Sequence, residues 1–311
     1  MTEPARILVI KLSALGDFVQ AMGPFAAIRA HHRDARITLL TTKPYAEFAA
    51  ASPWFDEIWV DERPRLWQLG ALLALRRRLI GGRFDMVYDL QTSDRSGWYF
   101  RLMRRPNWSG IAPGCSHPDT NPDREHIHTI ERQAIQLALA GIPATPPPDL
   151  SWVTADVARF ALKTPYVLIV PGGAPHRPAK RWPVEHYVAL VKALAGRGIA
   201  PVLIGTMEDA GPVAGIDGAV IEARSLLGQT SLADLAVLAR GAAGAVGNDS
   251  GPMHLIAATG CPSVVLFSAD SDPALCAQRG RVAVIRRDDL ATLPLAPVLA
   301  ALDAGPASLN R

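Results

Sequence analysis

Cysteine is scarce in this chain: Cys115, Cys261 and Cys276 are the only three in 311 residues. Their wide spacing excludes a disulfide framework or a Cys-x-x-Cys metal knuckle and points to a reducing compartment. Long apolar runs are missing too. No stretch approaches the ~20 residues that cross a bilayer. The run Ile7-Leu-Val-Ile10 is too short for a signal-peptide core and has no small-residue cleavage site behind it. A cytoplasmic protein is expected, one that can still touch the inner membrane face peripherally. The net charge is only +3, far from the dense Lys/Arg stripe of a nucleic-acid binder. No nucleic-acid partner is expected, and an anionic small molecule or lipid surface suits the balance better.

Several signatures are also absent. Without Gly-x-Gly-x-x-Gly, a nicotinamide or flavin site is disfavoured, and there is neither a Walker A loop nor a Gly-x-Ser-x-Gly elbow. His126 and His128 alternate as on a strand or loop, with no third and fourth ligand at a recognisable spacing. No metal ligand and no cofactor are assigned.

What the chain does contain is repeated alternation. Aliphatic runs at 6–11, Arg36–Thr41, 57–61 and 84–90 are separated by stretches of helical periodicity at 18–28, 45–52, 66–80 and 93–103. A second series has strands at Tyr166–Val170, 200–204, 243–247 and Ser263–Phe267, with helices at 184–195, 231–240 and 252–259. Strands that read as continuously apolar imply parallel sheets covered on both faces. With 49% hydrophobic residues each half can bury a core. The proline cluster at 141–149 marks a linker, placing domains at 1–150 and 151–311. The last segment, 290–302, looks helical, interrupted by Pro294 and Pro297, and can pack back on the first domain.

Ligands of such sheets bind beyond the carboxyl ends of the strands, so the loops there carry the candidates. After the first strand, Lys11-Leu-Ser-Ala-Leu-Gly-Asp17 offers Asp17, a general base or a helix cap, beside Gly16, which permits a tight turn. The loop from Pro171 has Gly172 and Gly173 for close approach, then Lys180 and Arg181, either a phosphate site or an ordinary basic loop. Gly247-Asn-Asp-Ser-Gly-Pro-Met-His254 opens a helix whose free N–H groups can hold a diphosphate. Asn248, Asp249 or Ser250 can equally be an N-cap, and His254 a buried histidine. Glu208 can accept from ribose hydroxyls. Arg63, Arg65, Arg76, Arg77, Arg78, Arg104 and Arg105 give the first half a basic character, suited to an anionic acceptor or lipid surface, or simply a solvated helix face.

Together, Lys11-Leu-Ser-Ala-Leu-Gly-Asp17, Asp89-Leu-Gln91, Pro171-Gly-Gly173 with Lys180-Arg-Trp-Pro183, Gly228-Gln-Thr-Ser-Leu232 and Asn248-Asp-Ser-Gly-Pro-Met-His254 resemble glycosyltransferase family 9, the lipopolysaccharide heptosyltransferases. The resemblance implies a GT-B fold, two Rossmann-like domains facing an interdomain cleft, with acceptor on the first domain and nucleotide sugar on the second. It implies an inverting, metal-independent transfer, typically of a heptose from ADP-heptose to a glycan or glycolipid acceptor; a monomer is expected. Asp17 matches the base. Gly172, Gly173, Lys180, Asp249, Ser250, Gly251 and His254 form the diphosphate site, and Glu208, Thr230 and Ser231 the nucleoside site. Ser13, Gly16, Gln91, Arg63 and Arg65 are the expected acceptor contacts. Pro175, His176 and Pro178 depart from the hydroxyl side chains common before the lysine, which leaves the donor sugar open. Alternatives are transfer of another nucleotide sugar to a different acceptor, a sugar-nucleotide epimerase and a non-catalytic nucleotide-binding protein of the same fold.

Overall fold

The computed structural model describes residues 3–65, 67–174 and 176–305. Leu66, where the 66–80 periodicity begins, and Pro175 lie outside the described residues, as does 306–311, the end of the second expected domain. Contacts divide the chain into two compact units, Met1–Trp152 and Val153–Arg311.

The first unit holds β1 (Arg6–Ile10), β2 (Arg36–Thr41), β3 (Glu57–Val60), β4 (Met86–Asp89), β5 (Trp108–Gly110) and β6 (His117–Pro118), in the order β3-β2-β1-β4-β5-β6. Neighbouring strands pair in parallel. Central β1 is buried from Ile7 to Ile10, as a strand covered on both faces must be. In register, Ile10 lies beside Leu40 of β2 and Asp89 of β4, so the loops that follow these strands leave from one edge. The chain runs outward from β1 through β2 to β3, then returns to β4 on the other side of β1. That reversal opens a crevice at the carboxyl ends of β1 and β4.

The single helical stretch read at 18–28 is two helices, Leu15–Gln20, which starts earlier than read, and Met22–His31. Pro24 explains the break: its ring meets the carbonyl four residues back, at Gln20, and it has no N–H to donate. Next to it, a Cβ at Gly23 would overlap the carbonyl oxygen of Pro146, so this glycine lets the linker backbone lie against the helix.

The second unit repeats the plan with β7 (Tyr166–Val170), β8 (Ala200–Leu203), β9 (Arg224–Ser225), β10 (Gly244–Asn248), β11 (Ser263–Phe267) and β12 (Val282–Arg286), ordered β12-β11-β10-β7-β8-β9. Its pairs are parallel too, and the crevice falls between β7 and β10. The C-terminal helix is Leu295–Ala304. Pro294 and Pro297 start it rather than interrupt it, because the first turn of a helix has no intrahelical N–H bonds to lose. It packs on the helix Val184–Gly196 and on β10 and β11, with Val298 and Ala301 in the core of this second unit.

Candidate active site

In the first unit the loop after β1 is fastened from three sides. Gln91, just beyond β4, accepts from the N–H groups of Leu12 (2.8 Å) and Ser13 (3.1 Å). Thr42, beyond β2, donates to the Leu12 carbonyl at 2.7 Å. Arg63, beyond β3, donates to Ser13 Oγ at 2.7 Å and to Leu12 O at 3.2 Å. Arg63 sits at φ 50°, and its N–H is held at 2.8 Å by buried Asp61. Asp17 lies in the first turn of Leu15–Gln20, partly exposed. The Ala14 N–H donates to its Oδ2 at 3.2 Å. Among the described residues no cation pairs with it, and Oδ1 has no protein partner. One oxygen thus satisfies a helix-end N–H while the other is available to receive a proton.

The expected acceptor contacts divide. Ser13, Gln91 and Arg63 meet, but their bonds hold the loop that carries Asp17. Gly16 is the second residue of the helix, so its backbone is helical and provides no special turn. Arg65 stands apart: exposed, its N–H on Gln68 Oε1 (2.7 Å), its guanidinium 5.0 Å over the Trp67 ring.

The second unit brings the loops after β7 and β10 together around buried Asn248. Its Oδ1 accepts from Trp182 N (2.9 Å) and the Tyr187 hydroxyl (3.0 Å), and its Nδ2 donates to the carbonyls of Pro171 (2.9 Å) and Gly172 (3.1 Å). This clamp places Lys180 against Asp249, Nζ to Oδ2, at 2.7 Å. Ser271 Oγ (2.8 Å) and Gln278 Nε2 (3.1 Å) also donate to the Asp249 carboxylate, and His254 Nε2 lies 4.0 Å from it. Burial opposes ionisation of Asp249. The bond and charge of Lys180, with Ser271 and His254, outweigh it and hold the pKa below the ordinary carboxylate value. Lys180 uses one of its three N–H donors on this partner.

None of Asn248, Asp249 and Ser250 caps the helix Gly251–Ala258 with its side chain. Ser250 Oγ is buried without a partner. Among the described residues, the N–H groups of Ser250 and Gly251 have no acceptor either. Orphan donors at a helix start, a buried hydroxyl and an ammonium with spare hydrogens are the groups with which an anion can be bound.

Other expected contacts need correcting. The Asp249 N–H donates to Leu266 O (2.9 Å), so it extends the sheet instead of lining the anion site. Gly173 N–H donates to Asp209 Oδ1 (3.3 Å), and a Cβ at Gly172 would overlap that same carboxylate. Gly172 therefore makes room for Asp209, whereas a Cβ at Gly173 would meet only Arg181, at 3.7 Å. Ser231 is an N-cap whose hydroxyl and N–H both donate to Asp234 (2.8 Å each). Glu208 is exposed and Thr230 half-buried. Their turns are joined by Gly228 N–H on the Gly205 carbonyl (2.9 Å).

The sequence model of glycosyltransferase family 9 (heptosyltransferase) matches residues 72–290. The chain belongs to this family. It is a glycosyltransferase, with the two α/β sheets of a GT-B protein. It is similar to lipopolysaccharide heptosyltransferase 2 of Escherichia coli K12, 28% identical over 295 residues that span 86% of this chain and 83% of that protein. The structure of the E. coli ADP-heptose lps heptosyltransferase II matches with a TM-score of 0.81 at 26% identity, covering 96% of this chain and 98% of that one. An E. coli heptosyltransferase solved with ADP shares the fold, with a TM-score of 0.74 at 19% identity, covering 96% and 99%.

Two features of the transferase are legible in the sequence but are given no role there. One is Asp270-Ser271-Asp272, an Asp-x-Asp pair whose middle residue binds Asp249 and whose Asp272 accepts from Ala274 N (2.9 Å). The other is the buried pair Lys11 and Asp89 at the carboxyl ends of β1 and β4, the first residues of two of the family motifs. Lys11 Nζ donates to Leu90 O at 2.9 Å, while Asp89 Oδ1 accepts from Gln91 N and Thr92 N, and its Oδ2 has no partner.

Burial raises the Asp89 carboxyl from 3.8 to about 6, against the opposing pull of Thr92, Ser96, Gln91 and Lys11. Burial lowers Lys11 in turn. A raised carboxyl adds stability while protonated, in full below its unfolded pKa, and loses it as pH rises through the folded value. Asp89→Asn, always neutral, is therefore expected to gain on the wild type between about pH 4 and pH 6, by roughly 3 kcal/mol. Urea unfolding of both proteins across that range checks it. A difference that does not vary with pH refutes it.

Proposed function

We propose that this transferase moves a heptose from ADP-heptose to a lipopolysaccharide-core or related glycolipid acceptor, by a single inverting displacement without a metal ion. The observation that carries the reading is the anion site of Lys180, Ser250 and Gly251, in a chain of this family that is similar along most of its length to heptosyltransferases of named donor and product. The donor diphosphate binds there. The acceptor oxygen attacks the anomeric carbon as the bond to the diphosphate oxygen breaks, Asp17 takes the acceptor proton, and ADP leaves. Lys180 and the free amides stabilise the charge that grows on the leaving group. Ser13, Gln91 and Arg63 hold the loop of the base. The nucleoside lies along the turns of Glu208 and Thr230. The enzyme acts in the cytoplasm as a monomer, touching the inner membrane face peripherally.

The test combines ADP-heptose with a heptose-deficient lipopolysaccharide core, with and without EDTA. A heptosylated product of inverted anomeric configuration, formed equally in both, is expected. Activity that disappears in EDTA and returns with Mn²⁺ would replace the metal-free step, and Asp270-Ser271-Asp272 would be the cation's natural seat. Donor altered without any acceptor would point to an epimerase instead. Donor binding with no turnover on any acceptor would leave a nucleotide-binding protein.

A further inference from the structure

Residues 63–84 contain six arginines and no aspartate or glutamate. Within this stretch three large apolar side chains face solvent: Trp67 (71% exposed), Leu69 (68%) and Leu73 (53%). Other exposed large apolar residues, such as Ile111, Met207 and Ile221, are scattered singly, which is ordinary for a protein surface. Three within seven residues are not. The helix Leu69–Gly81 buries Leu75 and Leu79 on its inner face. Leu69 and Leu73, one turn apart, share an outward stripe that continues three and four residues on into Arg76 and Arg77. Arg78 is engaged elsewhere, 4.4 Å over the Trp59 ring. The outward stripe is therefore apolar at its start and purely cationic further along.

We infer that this segment docks the protein on a lipid bilayer bearing anionic headgroups. Trp67, Leu69 and Leu73 enter the boundary between headgroups and acyl chains, and Arg76 and Arg77 lie at the level of the phosphates. Charge of a single sign beside the apolar tip selects this occupant, since an anionic membrane offers both an apolar layer and a dense negative plane. The inference deepens the proposed function, because a glycolipid acceptor lies in such a surface, but its test does not depend on turnover.

The test is sedimentation of the full chain with phosphatidylcholine vesicles, with and without phosphatidylglycerol. Binding is expected to the anionic vesicles only and to weaken as salt rises. Replacing Trp67, Leu69 and Leu73 together by Ser, or Arg76 and Arg77 together by Ser, is expected to lower partitioning roughly tenfold or more. Asp17→Asn should bind vesicles like the wild type, which separates docking from catalysis. Equal wild-type binding to neutral and anionic vesicles, or triple-variant binding equal to the wild type, overturns the inference even if transfer is demonstrated. Failure of transfer with vesicle binding intact overturns the functional reading alone.

Discussion

Asp17→Asn is expected to lower kcat about 10²–10⁴-fold while the donor Kd stays unchanged, the range typical of general-base assistance. Asn matches Asp in shape, and its Oδ1 can still accept the Ala14 N–H that Asp17 accepts at 3.2 Å. The helix start is therefore preserved and only proton acceptance is lost. The residues that hold the loop, Gln91, Thr42 and Arg63, bond to Leu12 and Ser13 and not to the carboxylate, so they keep their partners. Unfolding free energy should consequently change little. Steady-state turnover, calorimetric ADP-heptose binding and a urea titration on the same preparation separate these effects. Turnover near the wild-type value removes Asp17 from the reaction.

Asp249→Ala is expected to cost about 3–5 kcal/mol of stability, as when one partner of a buried ion pair is deleted. The side chains of Asp249 and Lys180 are 7% and 11% exposed, so water cannot replace the lost carboxylate. Ser271 and Gln278 lose their acceptor as well. Against a typical total of about 5–15 kcal/mol the loss should show as a large fall in the urea midpoint. Because the folded-state pKa of Asp249 is depressed, its contribution is present above the ordinary value of 3.8 and is lost as pH falls through the folded value. The gap between wild type and variant should therefore be widest near neutral pH and close in acid. Donor affinity should fall with it, since Lys180 loses the group that aims it. A cost below about 1 kcal/mol would mean the pair behaves like a surface bridge.

The architecture was legible wherever a strand is covered on both faces. Arg36–Thr41, Tyr166–Val170 and Ser263–Phe267 read as uninterrupted aliphatic runs and form with those limits, and the run at 6–11 forms over Arg6–Ile10. β5, β6 and β9 did not stand out, because strands of two or three residues carry no periodicity and exist only through a neighbour's ladder. His128, read as strand or loop, is the N-cap of Thr129–Leu139, its Nδ1 accepting from Ile130 N at 3.2 Å. Nothing local distinguishes such a cap from a loop histidine. The site was legible as polar loops at the right ends of strands, and Lys180 and Asp249 stood out as motif residues. That they bond to each other across 69 positions was not.

By itself the sequence determined two parallel sheets and the loops at the carboxyl ends of their strands, since apolar runs alternating with amphipathic helices admit few other connections. Only the tertiary structure decided which polar groups in those loops stay available. Each has several candidate partners far away in the chain, and burial forces the pairing to be settled by proximity in space. Leu266 takes the Asp249 amide, Asp209 fills the space beside Gly172, and Asp234 engages Ser231. Ser250 is left with a buried hydroxyl and no partner, which is why we propose the anion site there.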